Sequence, residues 1–163
     1  MTFSHSITDR YFEDYVEADV HRFGSIAVEA DEVIAFAKRF DPQAMHTDPE
    51  AAKHTIFGGL IASGWHTAAV WMKLMIAHRY AQLAAGEEAT QDNYVSPGVR
   101  DLRWLKPVRP GTSLTYTTEP FNKVDWPSRP ALGLLQSRNE ARDETGELYY
   151  SFTSQVLIAR RPV

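Results

Sequence analysis

Asp41 and His46 stand five residues apart in the segment Phe40-Asp41-Pro42-Gln43-Ala44-Met45-His46. A carboxylate beside an imidazole is a general acid/base pair able to orient a water molecule. The spacing is too wide for one face of a helix, but a loop can turn both side chains toward a common point. On spacing alone an alternative stands beside this one: Asp41 caps the next turn and His46 is an ordinary loop histidine. A second group follows in Phe57-Gly58-Gly59-Leu60-Ile61-Ala62-Ser63-Gly64, a glycine-rich approach to a long apolar segment. If that segment is a helix, its first N–H groups and the positive end of its dipole face the loop, and glycine lets a ligand oxygen come close to them. The alternative is tight packing of a helix entry, with Ser63 as its N-cap.

Other chemistries have less to stand on. Ser63 is not in a G-x-S-x-G elbow, and neither a P-loop, a dinucleotide-binding glycine pattern nor H-E-x-x-H occurs. His54, His66 and His78 read as packed or surface histidines rather than metal ligands. Arg100, Arg103, Lys106 and Arg109 interleave with Leu102, Trp104, Leu105 and Val108. Such a run suits either a solvated strand face or contacts to the phosphates of a nucleotide-like handle.

The elements that must position these groups follow from periodicity and turn chemistry. The chain to about Gly24 is acidic and aromatic without a clean period, and reads as an arm or short strand over the core. Ser25 to Ala30 alternates as a half-buried strand, and Asp31 to Phe40 carries apolar residues at helical spacing behind an acidic first turn. Asp41-Pro42 stops that helix, because the residue before proline is pushed out of the helical region. A loop then leads to a short turn at Pro49 to Thr55. From Gly64 to about Ala85, ahead of Gly86, apolar residues cover nearly every side of a long helix, which marks it as surrounded by protein. After a polar connection, strands are predicted at Val99 to Val108 and Ser113 to Glu119, split by Arg109-Pro110-Gly111. A last pair, Leu132 to Arg142 and Glu147 to Arg160, flanks the turn Asp143-Glu-Thr-Gly146. The order predicts an α+β fold, one antiparallel sheet on one long helix, with residues 1–163 forming a single domain.

Composition narrows the function classes. The 163 residues fall within the usual size of one domain, and the net charge of −4 disfavours a nucleic-acid binder held by phosphate contacts. The absence of cysteine removes disulfides, thiolate metal sites and thiol nucleophiles. No Asp, Glu, Lys or Arg lies between Lys53 and Lys73, yet the first half of that interval is polar and glycine-rich, unlike a bilayer span. No secretory signal is visible in Met1 to Asp19, so a soluble cytoplasmic protein is the expectation.

Taken together, these residues resemble the MaoC-like dehydratases of the hot-dog fold, the group that includes (R)-specific enoyl-CoA hydratases. That family writes its catalytic loop G-D-x-N-P-x-H, and Asp41 and His46 keep its two catalytic residues at that spacing. The likeness continues through Thr47-Asp48, Ala51-Ala52, the Phe57 to Gly64 segment and Pro107-Val108-Arg109-Pro110-Gly111. It implies a hot-dog domain whose antiparallel sheet wraps a long central helix. It implies addition of water to a 2-enoyl thioester or the reverse, with Asp41 and His46 activating the water and the Gly64 N–H receiving the thioester oxygen. By the same resemblance Gln43, Ser63 and Gly59 are substrate-binding positions, CoA is part of the substrate with no separate cofactor, and the chain forms a homodimer or higher assembly. The sequence departs from the family in Gln43 for Asn, Ala44 for Pro, Phe40 for Gly and Ser63 for the His that often precedes the Gly. Phe40 either narrows the pocket entrance or simply ends its helix. Two rival readings remain: a hot-dog acyl-CoA thioesterase, and a non-catalytic acyl-CoA binding domain.

Overall fold

Val33 and Ala37, one helical turn apart, are both fully buried and seat the first helix on the core, while Asp31 and Glu32 at its start and Lys38 and Arg39 at its end complement its dipole. The computed structural model describes residues 11–85 and 95–162. In chain order these give a 3-10 turn at Phe12–Asp14, β1 (His21–Ala27), α1 (Ala30–Phe40), two single-turn helices α2 (Ala44–Thr47) and α3 (Pro49–Ala52), and α4 (Gly64–Ala84). Four strands follow: β2 (Val95–Trp104), β3 (Ser113–Asp125), β4 (Leu132–Arg142) and β5 (Leu148–Ala159). They form one antiparallel sheet in the order β1-β3-β4-β5-β2, with β1 and β2 as edges. A sheet and one long helix are the expected α+β arrangement.

The core lies between α4 and one face of the sheet. Trp71 of α4 meets Phe152 of β5 edge-on at 4.8 Å, and Val70, Leu114, Tyr116, Ala141 and Tyr150 close around them. At the far end Phe12 lies on Gly133, where any Cβ would fall 2.5 Å from the ring. Arg160 and Lys123 cover the same ring, and Arg161 pairs with Asp14, so residues 12–14 are bound across the sheet. The first ten residues of the arm, and the polar connection at 86–94, lie outside the described residues.

Three strands differ in their bounds from the sequence reading. Strand β1 begins at His21, inside the expected arm, because Gly24 forms a bulge with φ of 113° that breaks the alternation. Strand β2 begins and ends four residues early, since Pro97 is tolerated on an edge and Pro107 cannot continue the ladder. Strand β3 runs on to Asp125. Helix α4 is also less enclosed than its apolar sequence suggests: Trp65 and Met72 on one stripe are 57% and 48% exposed. No described helix is long and apolar enough to cross a membrane.

Candidate active site

Asp41 is the C-cap of α1. Its N–H donates to Ala37 O at 2.8 Å, and Pro42 turns the chain away immediately afterwards. Gln43 then starts α2, whose single turn is closed by His46 N–H to Gln43 O at 2.9 Å and by the Thr47 hydroxyl to the same carbonyl at 3.0 Å. Asp48 caps α3 by accepting from the Glu50 and Ala51 amides, with Pro49 in the first helical position. The loop carries His46 inward, where it is 6% exposed.

The glycine-rich segment comes back beside this loop and is fastened on both sides. Ile61 N–H donates to Met45 O at 3.1 Å, and Ala62 N–H to Val108 O at 2.7 Å. Gly58 takes a positive φ of 64°, a left-handed turn that favours glycine. Arg109 donates from Nη2 to Phe57 O at 2.6 Å and holds the turn from outside.

These bonds bring four of the expected site residues together. Ser63 Oγ donates to Asp41 Oδ2 at 2.6 Å, and Gln43 Nε2 donates to Asp41 Oδ1 at 2.7 Å. His46 Nε2 lies 3.5 Å from Asp41 Oδ2. The other ring nitrogen, Nδ1, is 2.9 Å from Ile61 O. A carbonyl only accepts, so Nδ1 carries the hydrogen and the Nε2 of the neutral ring presents a bare lone pair toward Asp41. Two acceptors 3.5 Å apart do not bond to each other, but both can accept from one water.

The Ser63 and Gln43 bonds hold the Asp41 carboxyl below the ordinary carboxylate range against the opposing effect of burial. A depressed folded-state value means these bonds stabilise the fold at neutral pH, above the unfolded value. That contribution is lost as pH falls through the folded value.

Ser63 caps α4 and supports the carboxylate at once. Its Oγ accepts from the Trp65 amide at 3.3 Å, as an N-cap does, while its hydrogen goes to Asp41. The Gly64 N–H, first in α4, makes no hydrogen bond among the described residues. The Trp104 indole lies against Gly64, so a Cβ there would come within 2.5 to 2.7 Å of three indole atoms. Trp104 was legible only as part of a mixed basic and aromatic run, and nothing in its spacing points to Gly64.

Gly59 takes no part in this cluster among the described residues. A Cβ there would sit 3.1 Å from Arg109 Nη1, so its small size accommodates the strut rather than the dyad. Phe40 is 61% exposed and packs on Phe36 at 5.0 Å, which makes it the end of its helix. His66 is stacked on Phe36 at 4.5 Å and held below its ordinary pKa by burial, a packed histidine. Of the basic run, Lys106 pairs with Glu147 and one guanidinium nitrogen of Arg109 is committed to Phe57, while Arg100 and Arg103 are exposed on β2. Among the described residues no group of three or more His, Asp or Glu could hold a metal ion.

The family model for the MaoC like domain matches residues 12–132. An uncharacterized protein of Bacillus subtilis (strain 168), YdeM, is 33% identical over 125 residues, which span 76% of this chain and 80% of that protein. The crystal structure of the MaoC-like dehydratase from Rhodospirillum rubrum superposes with a TM-score of 0.79 at 33% identity, covering 94% of this chain and 99% of the other. An (R)-hydratase from A. caviae involved in PHA biosynthesis shares the fold, with a TM-score of 0.66 at 22% identity over 92% and 99% of the two chains. On the family match and the coverage of these relatives, the chain belongs to the MaoC-like dehydratase family.

Proposed function

We propose that the protein is an enoyl-thioester hydratase, or in reverse a 3-hydroxyacyl-thioester dehydratase, acting on CoA esters with Asp41 and His46 as its dyad. The observation that carries this is the Nδ1–H bond to Ile61 O, which leaves His46 Nε2 free to take a proton 3.5 Å from a carboxylate oxygen. A water donating to both acceptors is held with its oxygen lone pair free. As that oxygen bonds to Cβ of the enoyl thioester, His46 Nε2 takes one water proton and the Cα=Cβ electron pair shifts toward the thioester oxygen. The Gly64 N–H, oriented by α4, meets the charge gathering there. The proton held by His46 then passes to Cα on the same face, so water has been added across the double bond and the dyad is restored. Family membership supports hydration or dehydration in general.

The test is to mix the protein with short and medium trans-2-enoyl-CoA and follow loss of the conjugated double bond together with free thiol. Double-bond loss without thiol is expected. Thiol release would instead indicate a thioesterase, and tight binding of CoA esters without turnover a binding domain.

Ser63→Ala tests the support of the carboxylate. Loss of the Oγ–H bond should raise the Asp41 pKa toward its ordinary value, move the acid limb of the rate profile to higher pH, and lower kcat/KM about tenfold. An unchanged acid limb and rate would refute a role for this hydroxyl.

The open stripe of α4 and the exposed β2 edge supply a surface for a second copy of the chain. Val95, Val99, Trp104 and Leu105 are about half exposed along or just beyond that edge, with Trp65 and Met72 also exposed on α4. Sedimentation is expected to give a dimer or larger homo-oligomer, and Val99→Lys to weaken it; a stable wild-type monomer at micromolar concentration would count against this assembly.

A further inference from the structure

Between α4 and the sheet lies a cavity of about 650 Å³ that begins at Trp65, directly after Gly64, and contains neither member of the dyad. Ala68, Trp71, Met72, Met75 and Ile76 make the apolar part of its helix wall, at the spacing of one helix face, and His78, Arg79 and Gln82 continue that wall toward the end of α4. A chamber meant only for an alkyl chain would be apolar opposite that wall too. Instead a band of polar side chains crosses the sheet face: Thr118 on β3, Ser137 and Asn139 on β4, and Ser154 on β5, all lining the cavity. They are neighbours by register, Thr118 opposite Asn139 and Ser137 opposite Ser154.

The band is not satisfied by its own members. Asn139 is fully buried, and its Nδ2 donates to Ser137 O at 3.0 Å, to Ser154 Oγ at 3.0 Å and, at 3.4 Å, to Phe152 O. Two of those partners are carbonyls, which only accept, so the amide cannot be flipped, and its Oδ1 is left without a donor among the described residues. Trp71 is 7% exposed, and its Nε1–H has no acceptor among them. The Ser137 and Thr118 hydroxyls form no side-chain hydrogen bond there either. Leaving a buried acceptor and a buried donor unmet is costly, and a hydroxyl, which both donates and accepts, is suited to either.

We propose that this chamber receives an acyl chain bearing a hydroxyl remote from the thioester, bound at the Asn139–Trp71 end of the polar band. The inference rests on the enoyl-thioester reading and names its substrate class: a medium-chain acyl thioester with a hydroxyl near its far end. Trp71 follows Gly64 by seven residues, so along α4 the band lies about 10 Å from the thioester oxygen.

The test is titration calorimetry of the whole protein with two saturated acyl-CoA esters of equal medium length, one ending in methyl and one in hydroxyl. Neither can be hydrated, so binding is read apart from chemistry. The hydroxylated ester should bind about tenfold more tightly. Asn139→Leu should erase the difference; because that change also removes the Nδ2 bonds, Trp71→Phe, which deletes the donor and part of the indole but leaves the Asn139 bonds in place, should narrow it independently. Equal or weaker binding of the hydroxylated ester, or binding of neither ester, would overturn the proposal. If the preference holds but neither corresponding 2-enoyl ester is hydrated, the hydratase reading fails and the hydroxyl-binding chamber stands.

Discussion

Asp41→Asn and His46→Ala are each expected to lower kcat for enoyl-CoA hydration by about 10²–10⁴-fold, with CoA-ester binding retained. The two losses arise differently. His46→Ala removes the ring nitrogen placed to take the water proton, and leaves Ile61 O without its side-chain donor among the described residues. Asp41→Asn keeps the side-chain shape but replaces one acceptor oxygen with an NH₂ donor. If that nitrogen takes the Oδ2 position it faces the Ser63 hydroxyl and the lone pair of His46; if it takes the Oδ1 position it faces the Gln43 amide. In the first case the water loses its second acceptor; in the second an oxygen stays beside His46 but without its negative charge, and the Gln43 bond is lost. Because both residues act on one water, the double variant should be little worse than either single one. Retention of more than a tenth of wild-type kcat in either variant would remove the dyad from the mechanism.

Gly64→Ala should damage both stability and turnover. The added carbon would come within 2.5 to 2.7 Å of the Trp104 indole, and Trp104 is itself held edge-on by Trp65 at 5.1 Å. The indole can escape only by breaking that contact or by shifting the start of α4. Destabilisation of about 1–3 kcal/mol is expected from the overlap, together with a fall in kcat of about 10²–10³-fold if the Gly64 N–H moves away from the thioester oxygen. The paired variant Gly64→Ala/Trp104→Ala separates the two effects. It should recover stability by relieving the overlap, and recovered kcat along with it would show that the amide was displaced rather than blocked. Thermal unfolding and single-turnover rates measure both quantities; an unchanged melting temperature in Gly64→Ala would contradict the packing described.

What could be read beforehand depended on how locally each feature is encoded. The end of α1 at Asp41 and the turn at Asp143 to Gly146 need only neighbours in the chain: a proline after the cap in one case, and in the other an aspartate whose Oδ1 accepts from Thr145 and Glu147 with Gly146 at positive φ. The geometry around Asp41 is less local, because Ser63 lies 22 positions away, yet both residues sit in motifs legible by themselves. Trp104 against Gly64 is encoded across 40 positions, and it depends on the register of β2, where irregularities lie between Val95 and Gly98 and between Arg100 and Arg103, and Asp101 adopts a positive φ. A shift of one residue in that strand would send the indole to the opposite face. The polar band is hidden for a related reason. Ser137, Asn139 and Ser154 fit an ordinary alternating strand pattern, and only the pairing of β4 with β5 shows that they share the face toward α4.

The two bonds that fasten the segment ahead of α4, Ala62 N–H to Val108 O and Arg109 Nη2 to Phe57 O, have a consequence for the order in which the molecule assembles. During synthesis Asp41, His46, Ser63 and Gly64 all emerge before either of the residues that clamps them. A nascent chain ending before Val108 holds all four of these residues but lacks both of these fastenings, and closing the loop back to residues 57–62 waits on a contact of long sequence separation. The site is therefore expected to be among the last parts of the molecule to become rigid. Refolding followed by pulse-labelled hydrogen exchange should find the Ala62 amide protected later than the interior amides of α4.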